Sequence, residues 1–168
     1  MENAQNSLQK RLYFDTLCTY IMTVGVAIVA FAKLLTFISA ADASKIAGEN
    51  YKGTAPGLIL SDVVFFVFLA AAIFVFSLVL KEVHRTGRPF SEKIIKRLRV
   101  MAFMLILASV VPEAAAMIFG FFDSNAAYGV FRLDSINLGI MAFGVVAGLI
   151  SEIFKYGYEL QENMDSIA

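Results

Sequence analysis

The chain of 168 residues has no tryptophan, one cysteine, one histidine and three prolines. Each scarcity removes a class of chemistry. Cys18 alone can form neither an internal disulfide nor a thiolate metal cluster, and its place within an apolar run marks it as a small buried hydrophobe. His84, the sole histidine, cannot supply the paired imidazoles of a zinc or copper site, so no metal is expected. Without tryptophan, any interfacial aromatic belt must come from Tyr13, Tyr128, Tyr156, Tyr158 and the phenylalanines. There is no Gly-rich phosphate loop, no Ser/His/Asp combination and no HExxH pattern, so neither a cofactor nor an enzymatic activity is expected. Net charge is lacking too, since 14 basic residues balance 14 acidic ones.

What the chain has is apolar length. Its hydrophobic share is 59% and its mean hydropathy is +0.73, well above the ~45–50% apolar share of a soluble domain. Four segments lack the periodic polar face of a soluble helix: 16–39, 58–80, 100–122 and 133–154. Each is about 20–24 residues long, enough to cross ~30 Å of hydrocarbon at ~1.5 Å per residue. The expected fold is all-α: an integral membrane four-helix bundle forming a single domain over residues 1–168. The first segment has the basic flank and small residues of a cleaved secretory signal. It is longer than a signal core and carries Lys33, so it is read as a retained helix.

Charge placement sets the expected orientation. Lys10, Arg11, Lys155 and the seven basic residues of 81–99 lie on one side, against Lys45, Lys52 and Arg132 on the other. The positive-inside rule then places both termini and the 81–99 connection in the cytoplasm.

That connection, KEVHRTGRPFSEKIIKRLR, is built in detail. Gly87 and Pro89 break the second helix, Ser91 is a good N-cap, and Phe90 is placed to staple onto Ile95. Glu92 suits the positive end of the helix dipole. Lys93, Lys96 and Arg97 fall on one face and Ile94, Ile95 and Leu98 on another, as in an amphipathic stub (91–99) at the membrane surface that runs on into the third span. Arg88 and Arg99 add to its charge. Topology with anionic headgroup contact is one reading, at about 1 kcal/mol per cation, and docking of a soluble protein is another. Direct nucleic-acid binding is not expected, because the aromatics are not interleaved for stacking.

TGRPFSEKIIKRLRVMAF, together with EIFKYGYELQENMDSIA after the fourth span, resembles the bacterial four-helix membrane proteins catalogued as domain of unknown function 2975, including the YoaS-like proteins. The family's G-x-P-F turn corresponds to Gly87, Pro89 and Phe90. Its K-R-L-R run corresponds to Lys96 through Arg99, and its L-Q-E tail to Leu160, Gln161 and Glu162. Where the pattern commonly continues with an acidic residue and Asn-Asp, this chain has Asn163-Met164-Asp165. The resemblance implies a multi-pass protein of the bacterial inner membrane. It also implies a small helix-turn-helix regulator of the Xre type as partner, and it supplies no catalytic residues.

The tail 155–168 is acidic, with Glu159 and Glu162 at i, i+3. It either pairs with the basic stub or frames a docking surface with it. A second group of charges lies inside the apolar segments towards the outer side: Lys33, Asp62, Glu113 at about 13 Å depth, and Asp134 and Asn137 opening the fourth helix. Charges at that depth are costly and should face the bundle interior and pair, Lys33 with Glu113 or Asp62. Pro112 should kink the third helix beside Glu113. The cluster is either a structural ion pair or an outward-facing ligand pocket. In the fourth segment Gly144, Ala147, Gly148 and Ser151 form a small-residue stripe. Such a stripe serves close packing within the chain or a homodimer through helix four.

The leading functional expectation is a non-enzymatic sensory or regulatory membrane protein acting on a cytoplasmic helix-turn-helix transcription regulator. The alternative is a small transporter or lipid-binding protein that uses the outer polar cluster.

Overall fold

The computed structural model describes residues 2–47, 56–87, 90–122 and 137–165. All four described elements are helices: α1 (Glu2–Ala47), α2 (Pro56–Thr86), α3 (Glu92–Phe122) and α4 (Leu138–Asp165). Each contains a stretch long and apolar enough to cross a membrane, so this is an all-helical, multi-pass membrane architecture. The helices outrun their apolar segments. α1 has 46 residues, about 69 Å at ~1.5 Å per residue, roughly twice a hydrocarbon layer.

The helices pack chiefly in chain order, α1 on α2, α2 on α3 and α3 on α4. The contacts Tyr13–His84 and Phe90–Phe154 put the start of α1, the end of α2, the start of α3 and the end of α4 at one end, here the basic end. The end of α1, the start of α2, the end of α3 and the start of α4 lie at the other, the loop end. Small residues make the interfaces: Ala72, Ala102, Ala108, Ala116 and Ala147 are buried, as are Ser77, Ser109 and Ser151. Each of these serines donates its hydroxyl proton to a carbonyl three residues back, Phe74, Ile106 and Gly148 respectively, at 2.6–2.7 Å. A polar group at the interface is thus satisfied within its own helix and does not hold neighbours apart.

The stripe on α4 packs within the chain. A Cβ built on Gly144 would lie 2.8 Å from Ile106 Cγ1 and 3.0 Å from the Ala102 carbonyl oxygen, so α3 closes on α4 where a side chain is missing. Gly148 looser by comparison would meet only Ala102 Cβ, at 3.9 Å.

At the basic end, Gly87 has φ +63°, the left-handed conformation that glycine adopts at little cost, and its N–H donates to the Val83 carbonyl at 2.9 Å. α2 ends there, as the sequence predicts; Arg88 and Pro89 lie outside the described residues. Ser91 caps α3: its Oγ accepts the Ile94 N–H at 3.4 Å and its carbonyl the Ile95 N–H at 3.1 Å. One expectation is extended and one changes. The ring of Phe90 sits against Phe154 of α4, centroids 5.2 Å apart, and beside Gly157, so it ties the turn to α4. The apolar face of 91–99 does not lie on a membrane surface. Ile94, Ile95 and Leu98 are buried, and Ile94 and Leu98 cluster with Val79, against which Val83, Met101 and Phe154 pack. The reason is continuity: α3 runs unbroken from Glu92 to Phe122, so this row continues the helix face that already packs on its neighbours.

At the loop end, α4 begins at Leu138 with Asn137 as its cap, and positions 133–136 of the expected span lie outside the described residues. Asn137 Oδ1 accepts the Ile140 N–H at 3.1 Å. Asp134 lies outside the described residues.

Candidate functional site

A cavity of about 220 Å³ opens among α2, α3 and the start of α4 towards the loop end. α2 contributes Ser61, Asp62 and Phe65; α3 contributes Ala108, Ser109, Pro112 and Glu113; Asn137 closes it from the α4 cap. Three residues of the predicted polar cluster, Asp62, Glu113 and Asn137, thus line one space. Lys33 reaches the same place from α1, its Nζ 2.7 Å from Asp62 Oδ2. Of the two carboxylates proposed as its partner, Asp62 takes that contact.

The wall is rich in acceptors for reasons written in the helices. The Ser61 hydroxyl donates to the Leu58 carbonyl at 3.2 Å and the Ser109 hydroxyl to the Ile106 carbonyl at 2.7 Å, so both oxygens have lone pairs to offer and no proton. Pro112 has no N–H, which leaves the Ala108 carbonyl without its helical donor at the same wall. Asn137 commits its oxygen to the α4 cap, which assigns its NH2 as the donor on that side. The Lys33 ammonium is already drawn to Asp62, and the lining as a whole, two carboxylates, two hydroxyl oxygens and a carbonyl beside one amide, suits a group bearing N–H donors or positive charge. Sequence reasoning missed Ser61 and Ser109. Ser109 lies at i−4 from Glu113 and Ser61 beside Asp62, a signal that helix periodicity alone could have raised.

The basic end distributes its charges differently from the expected three-cation face. Arg97 turns inward: Nη1 donates to the Leu78 carbonyl at 2.7 Å and lies 3.5 Å from Glu82 Oε2. Glu82, buried and not foreseen, also accepts Arg85 Nη2 at 2.8 Å. Arg97 precedes buried Leu98 in the helix and shares its proximity to α2, which removes it from the outer face. Lys96 pairs with Glu92 of its own turn at 2.7 Å, and Lys93 is exposed. Arg99 reaches Glu152 on α4 at 2.7 Å. A link between the basic segment and α4 therefore exists, made by Glu152. Glu159 pairs with Lys155 at 3.5 Å within α4, and Glu162 is exposed. Among the described residues no group of three or more His, Cys, Asp or Glu side chains is placed to hold a metal ion.

No curated protein and no solved structure matches this chain. A family profile matches residues 40–167, which takes in α2, α3 and α4 with the cavity wall and the basic end, and leaves Lys33 outside. By that match over most of its length, the chain belongs to the family described as protein of unknown function (DUF2975).

Proposed function

We propose that the chain is a non-enzymatic sensory or regulatory protein of the bacterial inner membrane. A small ligand with N–H donors or positive charge occupies the Asp62/Glu113/Asn137 cavity, and occupancy is read at the basic end by a cytoplasmic helix-turn-helix regulator. One observation carries this reading. α3 is a single continuous helix that walls the cavity through Ser109, Pro112 and Glu113, and at its other end Arg97 holds α2 while Arg99 holds α4. A ligand shifts a conformational equilibrium only through contacts that differ between the two states. A space shared by α2, α3 and the cap of α4 is well placed to supply such contacts. The positive-inside bias assigns the basic end to the cytoplasm. There Lys93, Lys96, Glu159 and Glu162 present exposed charge of both signs to a partner.

The test is affinity capture of the full-length, membrane-solubilised chain, followed by identification of bound DNA-binding proteins. Capture is expected, and it should be lost in the Lys93→Glu/Lys96→Glu variant. A reporter for the captured regulator should respond to Glu113→Gln. Recovery of no DNA-binding protein overturns the reading, and so does a captured regulator whose reporter is indifferent to both variants.

A further inference from the structure

A second cavity, of about 350 Å³, lies at the basic end between α1 and α2. Tyr13, Thr16, Leu17 and Tyr20 form one wall and Lys81 and His84 the other. The spacing explains the walls, since i, i+3, i+4, i+7 on α1 and i, i+3 on α2 each mark one helix face. The Tyr13 and His84 rings stand 6.4 Å apart and tilted by 52° across the groove.

The position matters as much as the lining. The apolar segment of α1 begins at Thr16 and that of α2 ends at Leu80. Lys81, His84 and Tyr13 therefore sit just outside the hydrocarbon boundary, and Leu17 and Tyr20 just within it. Tyr13 and Leu17 are exposed, as are Ile21 and Val24 further along α1, so apolar surface continues from the groove into the span. The groove has the profile of an amphiphile: a cationic, hydrogen-bonding head and an apolar continuation.

The charge is unspent. Arg85 and Arg97 are drawn to Glu82, Lys96 to Glu92 and Arg99 to Glu152. Lys81, exposed at the groove, has no acidic partner among the described residues. A lysine at the end of a span extends its ammonium to the headgroup level, and basic pockets between helices at that level hold anionic headgroups.

We propose that this groove binds an anionic phospholipid, with its phosphodiester on the Lys81 ammonium and a His84 ring N–H and its acyl chain laid along Leu17 and Tyr20. The site is separate from the Asp62/Glu113/Asn137 cavity, and its existence does not depend on a regulatory partner.

The test uses the full-length chain in neutral detergent. Lipid retention is read by native mass spectrometry and stability by thermal unfolding, with phosphatidylglycerol, phosphatidylcholine or inorganic phosphate added. Phosphatidylglycerol is expected to be retained about fivefold more tightly than phosphatidylcholine, and Lys81→Gln to abolish that preference. His84→Gln should weaken it, and Lys155→Gln, on the same end but away from the groove, should leave it intact. Equal retention of the two lipids overturns the proposal. So does an equal loss in Lys155→Gln, which would mean diffuse attraction to the basic end. Inorganic phosphate that stabilises the protein as much as phosphatidylglycerol would also overturn it, because the site would then be one for soluble anions.

Discussion

Arg97 Nη1 lies 2.7 Å from the carbonyl oxygen of Leu78, so an arginine from the most basic stretch of the chain holds α3 to α2. The carbonyl has a second lone pair beyond the one its own helix uses, and the planar guanidinium can engage it while staying near Glu82. A lysine has neither the reach nor the fork to do both. Arg97→Met is expected to cost about 1.5–3 kcal/mol of stability, as for a hydrogen bond from a charged donor. Arg97→Lys should recover little of it, read as the denaturation midpoint in mixed micelles. A lysine variant as stable as the parent would show that charge alone matters there.

The two glycines of the α4 stripe should behave differently. Gly144→Ala would drive a methyl to within 3.0 Å of the Ala102 carbonyl oxygen and 3.1 Å of the Ile106 nitrogen, both backbone atoms that cannot swing aside. We expect a loss of about 1–3 kcal/mol from overpacking. Gly148→Ala meets only Ala102 Cβ at 3.9 Å, an ordinary contact. It should be neutral, or stabilising by up to about 1 kcal/mol through helix propensity. Thermal unfolding of the two variants side by side decides the matter, and the reverse order would displace α3 as the stripe's partner.

Gly157 and Phe90 should be coupled. A Cβ at Gly157 would lie 3.0 Å from two atoms of the Phe90 ring. Gly157→Ala is therefore expected to destabilise the parent, yet to be harmless in a Phe90→Ala background. A double-mutant cycle should return an interaction of about 0.5–3 kcal/mol. Additive effects would mean that the ring does not rest on α4.

For the Lys33–Asp62 pair, each single change strands a charge at membrane depth and the double change strands none. Lys33→Met or Asp62→Asn alone is expected to cost about 1–3 kcal/mol, below the figure for the centre of a bilayer because both residues lie towards the loop ends of their apolar segments. The double variant should be more stable than either single one, measured by unfolding in the same micelles. Equal or additive losses would mean that the two charges act separately.

Much of this was legible in the sequence, for physical reasons that differ by feature. Long apolar runs leave a chain few choices in a bilayer, so four helices follow from composition and length. Gly87 and Ser91 declare a helix end and a helix start through local chemistry. The cluster of Lys33, Asp62 and Glu113 was visible because a charge in an apolar run has to be matched. What stayed hidden depends on facing. Arg97 and Lys93 have the same charge and lie four positions apart, yet one is held against α2 and the other is exposed. Glu82 stands in the sequence as one acid among many bases, and only the approach of α3 makes it a buried acceptor for two arginines. Phe90 reads locally as a staple onto Ile95, and only the fold brings its ring against Phe154 of α4, distant in sequence.

The order in which the helices pack bears on how the protein is made. With α1 on α2, α2 on α3 and α3 on α4, each main interface joins segments that are synthesised one after the other. A helix entering the bilayer finds its docking surface already there, on the segment inserted just before it. Assembly needs no long wait for a distant partner, and loop closure stays inexpensive at every step. The apolar interfaces exposed at each stage are also only one helix wide, which limits the time an unfinished chain spends open to pairing with its neighbours.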